Sequence, residues 1–181
     1  MDLASWLTVV LAAVLLFWII GAYNRLVGLR NAISAAFMQV DEQLRRRQQL
    51  LQTLAEALRP VMAAELSTLD TLGAAVQQVQ AAADATRPRA CSAAAAASLG
   101  VAESVLSSAL ARWLMSIEQH EELREREEVA LRIAELRDID IKLGFARQLF
   151  NDASLQYNRA VHQFPTRLLR SLFRFQSAGR L

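Results

Sequence analysis

Cysteine and histidine are almost absent from the 181 residues: Cys91 is the single cysteine, and His120 and His162 are the only histidines. One thiol excludes an intrachain disulfide framework and a cysteine-rich zinc site. Two histidines, the first inside a charged stretch, give no HExxH, no ligand cluster and no histidine-based triad. The chain also lacks a glycine-rich phosphate loop, a convergent nucleophile and base, and any Glu-x-x-His pair of the kind that holds metals in helical bundles. Chemistry would have to rest on scattered carboxylates such as Asp41, Asp138, Asp140 and Asp152, so no catalytic residue, metal or cofactor is expected. Lysine is reduced to Lys142 against nineteen arginines, yet the net charge of +2 is unremarkable and names no partner.

One long hydrophobic run is present. From Leu3 to Ile20 the chain reads "LASWLTVVLAAVLLFWII" without a charge, and Gly21 and Ala22 extend it. Twenty residues of helix rise about 30 Å, the thickness of a hydrocarbon core. Trp6 near one end, and Trp18 with Tyr23 near the other, suit the two interfaces. The start "MD" carries no basic region and no small-residue cleavage pattern follows, so a retained anchor is expected rather than a cleaved leader. Arg25, Arg30 and Arg45 to Arg47 follow the span while only Asp2 precedes it. The positive-inside tendency then puts the amino terminus outside and the larger domain in the cytoplasm.

Past the anchor roughly 160 residues remain, enough for one domain with one core. Leu26, Leu29, Ile33, Phe37, Val40, Leu44, Leu51, Leu54 and Leu58 form a stripe at helical spacing, interrupted by a polar turn at Arg47 and Gln48. Pro60 closes it. Leu66, Leu69, Val76 and Val79 mark a second helix that runs out near Pro88, and the alanine run from Ala93 leads into a third through Leu99, Leu106, Leu110, Trp113 and Ile117. "IEQHEELREREEVA" is a solvated turn. From Val129 the cleanest stripe follows: Ile133, Leu136, Ile139, Leu143, Ala146, Phe150, Ala153, Tyr157, Val161 and Phe164, stopped by Pro165. The pattern predicts an all-α chain: a transmembrane helix over residues 1–22, an antiparallel up-down four-helix bundle with coiled-coil character over 23–165, and a basic amphipathic tail over 166–181.

The pentapeptides "YNRLV" (23–27) and "YNRAV" (157–161) are nearly identical. In an up-down bundle the first helix leaves the membrane and the fourth returns to it. Tyr23 and Tyr157 are therefore expected at one level, each with its ring in apolar surroundings and its hydroxyl wet. That register sets Phe37 level with Leu143 and Arg45 to Arg47 near Glu135. The tail from Arg159 onward holds five arginines and no acid, whereas residues 118–138 at the far end hold eight acids against four arginines. Leucine and phenylalanine interleave with Arg167, Arg170 and Arg174 in "RLLRSLFRFQ", which reads as a lipid-facing segment lying in the interface.

"YNRLVGLRNAISAAFMQVDEQLRRR" (23–47) behind an N-terminal anchor, "FARQLFNDASLQYNRAVHQFP" (145–165) and "FRF" (173–175) together resemble the LemA family of bacterial membrane proteins. The resemblance implies one N-terminal transmembrane helix and a helical bundle in the bacterial inner membrane, and brings no catalytic role with it. Carried over by position, it marks Tyr23, Asn24, Val27, Arg30, Ala36, Asp41, Leu44, Arg46 and Arg47 in the first motif. In the second it marks Phe145, Ala146, Arg147, Asn151, Tyr157, Asn158, Phe164 and Pro165. The chain departs from the family pattern at "LLQTLAEALRP", at Asp140 and Ile141, and at "QHEEL", the membrane-distal regions.

These features point to a non-catalytic, membrane-anchored scaffold or protein-interaction domain, with the lipid bilayer and an unnamed protein as partners and self-association open. The alternative is a membrane-surface or anionic-ligand-binding module using the arginine-rich end. Nucleic acid is disfavoured, because lipid headgroups would compete for those arginines.

Overall fold

The computed structural model describes residues 3–164, Thr166 and 175–181, with side chains from Trp6 onward. The fold is all-α. Helix α1 (Leu3–Leu58) runs 56 residues without a break, about 84 Å at the helical rise. No proline occurs before Pro60, so nothing removes a backbone donor along its length. Its first part exposes Trp6, Leu7, Val10, Leu11, Val14 and Phe17 on every side. An 18-residue window there has a mean hydropathy of 2.3 and no buried residue. A helix apolar all round and unburied by its own protein is solvated by lipid, and the chain is bilayer-associated through it. From Leu26 onward α1 is amphipathic, with Leu26, Ile33, Phe37, Val40, Leu44, Leu51, Leu54 and Leu58 buried.

At Pro60 the chain turns. Val61 and Met62 both donate to the Leu58 carbonyl (3.0 and 2.9 Å), and buried Met62 fills the corner. After a short 3₁₀ turn comes α2 (Leu66–Thr86). Pro88 sits within a 3₁₀ turn over Arg87–Arg89. Buried Thr86 anchors the connection, its hydroxyl 2.7 Å from the Ala82 carbonyl and 3.3 Å from that of Ala95. Helix α3 (Ala93–Gln119) starts at Ser92, whose side chain accepts from the Ala95 amide. A window of α3 is also apolar enough to cross a membrane, but much of it is buried: Ala96, Leu99, Ala102, Leu106 and Trp113 belong to the core. Alanine there lets α2 and α3 approach closely, with Ala75 and Ala83 buried opposite. The charged stretch beyond is a single turn, α4 (Glu121–Arg124), pinned by fully buried Leu123. His120, just before it, lies 2.9 Å from Glu65. Helix α5 (Glu127–His162) completes the bundle.

The most extensive packing is α1 against α5 and α2 against α3. The register of the first pair differs from expectation. The rings of Phe37 and Phe150 meet edge to face at 5.9 Å, and Arg47 meets Asp140 at 3.1 Å. Ten residues forward in α1 thus correspond to ten back in α5, so the helices are antiparallel, but Phe37 sits opposite Phe150 and not Leu143. The offset of seven residues is about 10 Å. Tyr157 therefore lies level with Arg30, and the two border one cavity. The repeated pentapeptide does not mark one environment: Tyr157 is 2% exposed and Tyr23 40%, with the Tyr23 ring 6.1 Å from that of Phe175. The Phe37–Phe150 ring pair fills the seam at this level, both rings being buried. Glu135 pairs with Arg132 in its own helix and not with α1.

Candidate functional site

Among the described residues, four polar assemblies border the apolar core. The first lies nearest the lipid. The connection between α2 and α3 comes back to the level of Arg30, where the Cys91 Sγ is 3.9 Å from the Arg30 carbonyl. Arg30 and Ser34 of α1, Arg89 and Ser92 of the connection, Tyr157 of α5 and Gln176 border a cavity of about 330 Å³. The N-terminus of α3 opens beside it. Arg30 and Arg89 form no ion pair among the described residues, leaving net positive charge here. Burial pushes the Cys91 thiol above its ordinary pKa, only partly offset by the Arg30 charge and a hydrogen bond from the Arg30 side chain. The group stays a protonated thiol and is no nucleophile at neutral pH.

The second assembly ties the same connection to α1. Arg87 forks onto Asp41, with Nε donating to Oδ2 at 3.1 Å and Nη2 to Oδ1 at 3.0 Å. Nη2 also reaches Asp84 at 2.7 Å, and Arg45 lies 3.3 Å from Asp41. The paired bonds from Asp41 hold the Arg87 pKa up against burial. The Gln80 amide and then Arg87 hold Asp84 below the usual carboxylate range, with burial opposing. Bidentate geometry makes this a strong strut, and it consumes Asp41 structurally.

Farther from the membrane, Arg47, Glu103, Asp140 and Arg147 surround a cleft of about 360 Å³ that Leu181 also borders. Arg47 pairs with Asp140 and Arg147 with Glu103. Two cations and two anions cancel, so this layer, unlike the membrane-proximal cavity, offers an anion no net attraction. Arg47 was expected in a polar turn; it is buried instead. Its charge is tolerated there because Asp140 reaches it and because its stem shares a gap with Leu44, Val76, Val79 and Leu106.

The fourth assembly involves the end of the chain. Asn158 donates from Nδ2 to the Ala178 carbonyl (3.0 Å) and accepts at Oδ1 from the Ala178 amide (2.7 Å). Asn151 does the same with Leu181 (2.7 and 2.9 Å). Residues 175–181 carry no helix or strand assignment and are drawn onto α5, with Phe175 and Ala178 buried. His162 lies 3.1 Å from the Ser177 hydroxyl.

Among the residues marked from sequence, the structure brings Arg30 and Tyr157 together, and places Arg47 and Arg147 around one cleft with Asn151 one turn beyond Arg147. Asn24 is exposed, and Arg46 makes a surface pair with Glu42 at 2.6 Å. Phe164, expected at the end of the α5 stripe, lies past the helix and is 82% exposed. Pro165, Arg167, Arg170 and Arg174 lie outside the described residues. Arg87, Arg89, Ser92 and Glu103 were missed. The signal available for the first three was the "TRPRACS" connection, which an up-down order would return to the membrane side. Among the described residues no group of three His, Cys, Asp or Glu side chains is placed to hold a metal.

No curated protein gives a significant match to the chain. The model of one protein family, described as the LemA family, matches residues 36–180. That span takes in the Asp41 strut, the Arg47 layer, all of α2, α3 and α5, and both asparagines with the segment they hold except Leu181. With most of its length matched, the chain belongs to the LemA family.

Proposed function

We propose that the protein is a non-catalytic, single-pass membrane scaffold that holds a protein partner at a set height above the bilayer. In this reading residues 1–22 span the membrane with the amino terminus outside, and residues 23–165 form an up-down four-helix bundle in the bacterial cytoplasm. Ahead of the segment 175–181 that returns to α5, Arg167, Arg170 and Arg174 would face anionic headgroups. One observation carries it: α1 passes from exposed apolar span to bundle core as one helix, so the bundle has no independent position. The portion beyond Ala22 reaches about 54 Å, far enough to carry the acidic turn around α4 clear of the headgroups.

Photo-crosslinking from exposed bundle positions in living cells, followed by mass spectrometry, tests the reading. A recurring protein partner is the expected result; lipid alone from every position would overturn it. Labelling a cysteine placed at Glu122 with an impermeant maleimide checks the orientation, since reaction in intact cells would put the bundle outside.

A second reading is favoured by Arg30 and Arg89 at the membrane-proximal cavity, which form no ion pair among the described residues. Their charges attract anionic headgroups by about 1 kcal/mol each. Full-length protein reconstituted with and without phosphatidylglycerol should differ in thermal midpoint, and Arg30→Gln with Arg89→Gln should remove the difference. Persistence of the full difference in that variant would show that the cavity is not its source.

A further inference from the structure

Helix α5 presents Asn151 and Asn158 two turns apart on one face, about 10 Å along the axis. The residues they hold, Ala178 and Leu181, are three apart, and three residues of extended chain also span about 10 Å. The two repeats match. Each carboxamide therefore meets the N–H and C=O of one residue in a closed pair, through four bonds of 2.7 to 3.0 Å. All four go to main chain, so the bonds themselves read backbone, and side chains are selected only by the groove around them.

Selectivity comes from what lies between the grips and around them. A Cβ on Gly179 would stand 2.7 Å from the Ala93 Cα and 2.8 Å from the Ala96 Cβ of α3. The first of these is backbone in a long helix and cannot yield, so only glycine fits. Ala178 is buried, Arg180 exposed, and Leu181 packs partly buried against the core. The groove between α3 and α5 thus specifies a small residue, a glycine, any residue and an apolar one, in extended form.

We infer that this groove is a binding site for extended protein segments of the pattern small–Gly–x–apolar, occupied in the resting protein by the chain's own residues 178–181. The inference rests on the scaffold reading and gives its partner a chemistry: a chain terminus or loop with an unpaired backbone and that spacing. The resident segment is the occupant whose fit is directly visible, and fifteen residues (163–177) separate it from α5. A tether of that length gives the segment a high local concentration, so a partner must compete with it.

The test uses the full-length chain in detergent micelles. Gly179→Val should eject the resident segment, read as cleavage by trypsin after Arg180 at least tenfold faster than in the parent. A fluorescent, end-blocked peptide of the sequence of residues 175–181 should then bind this variant at least tenfold more tightly than the parent. Asn151→Leu with Asn158→Leu in the Gly179→Val background should abolish uptake with helix content unchanged, and a peptide with valine for its glycine should not bind. Asn158→Asp, which keeps the acceptor and loses the donor, should retain weakened binding.

An ejected segment without peptide uptake, uptake indifferent to both asparagines, or a Gly179→Val segment still protected would each overturn the inference. So would a parent that forms dimers lost in Gly179→Val, since the groove would then serve exchange between copies. Failure here while in-cell crosslinks persist leaves the scaffold reading standing. Peptide uptake without any cellular partner does the reverse.

Discussion

Replacing Asp140 by asparagine is expected to cost more stability than replacing Arg47 by methionine, although both changes break the same ion pair. The two ends differ in burial: the Arg47 side chain is 7% exposed and that of Asp140 41%. Removing the carboxylate charge strands a guanidinium beside Leu44, Val76, Val79 and Leu106. An uncompensated buried charge of this kind costs about 3 kcal/mol, the low end of the usual range because the Asp140 side admits solvent. Methionine keeps the packing of the arginine stem and leaves Asp140 hydrated, a loss of about 1 kcal/mol or less. The difference of about 2 kcal/mol is roughly a thirtyfold change in the folded-to-unfolded ratio, and separates the thermal midpoints by about 4 to 8 °C for a domain of this size. Far-UV circular dichroism of the full-length variants in detergent reads it, and the double variant should fall close to Arg47→Met alone. Equal losses, or a larger loss for Arg47→Met, would mean that the guanidinium is hydrated in the folded protein and that the charged layer belongs to the surface.

Cysteines at positions 37 and 150 in a Cys91→Ala background should crosslink with a short reagent far faster than cysteines at 37 and 143, because Phe37 faces Phe150; the reverse order would restore the register suggested by the tyrosines. Cys91 should alkylate more slowly than a free thiol at neutral pH, with its rate rising only above the ordinary thiol range, because its folded pKa is raised. Arg30→Gln should push that rise to still higher pH, since it removes a charge that favours the thiolate; an unchanged profile would refute the role given to Arg30.

The helices were legible because burial follows period. Ile33, Phe37, Val40 and Leu44 on α1, and Leu136, Ile139, Leu143 and Phe150 on α5, are core positions, as their spacing implies. Register was not legible. Local identity between two pentapeptides says nothing of height along a seam, whereas the fit of Phe37 to Phe150 depends on a partner more than a hundred residues away. Arg47 misled for the same reason. An arginine beside two others and two glutamines reads as solvated, and its partner appears in the sequence only as one acid among many. The asparagine clamp left half a signal: a spacing of seven on one helix was visible in Asn151 and Asn158, but their targets lie 30 and 20 residues downstream in a segment without periodicity. The membrane-proximal cavity needed the path of the α2–α3 connection, which no local pattern encodes.

Continuity of α1 across the membrane surface has a mechanical consequence. Neither proline nor any other break in helical structure occurs between the span and the core of the bundle, so the helix transmits its inclination along its length. Transmembrane helices tilt to fit the thickness of their bilayer, by about 20° on average. Over the roughly 54 Å beyond Ala22, a tilt of that size swings the distal turn sideways by about 18 Å. A thinner or thicker membrane would thus be felt at Leu123 as a lateral displacement larger than the helix is wide.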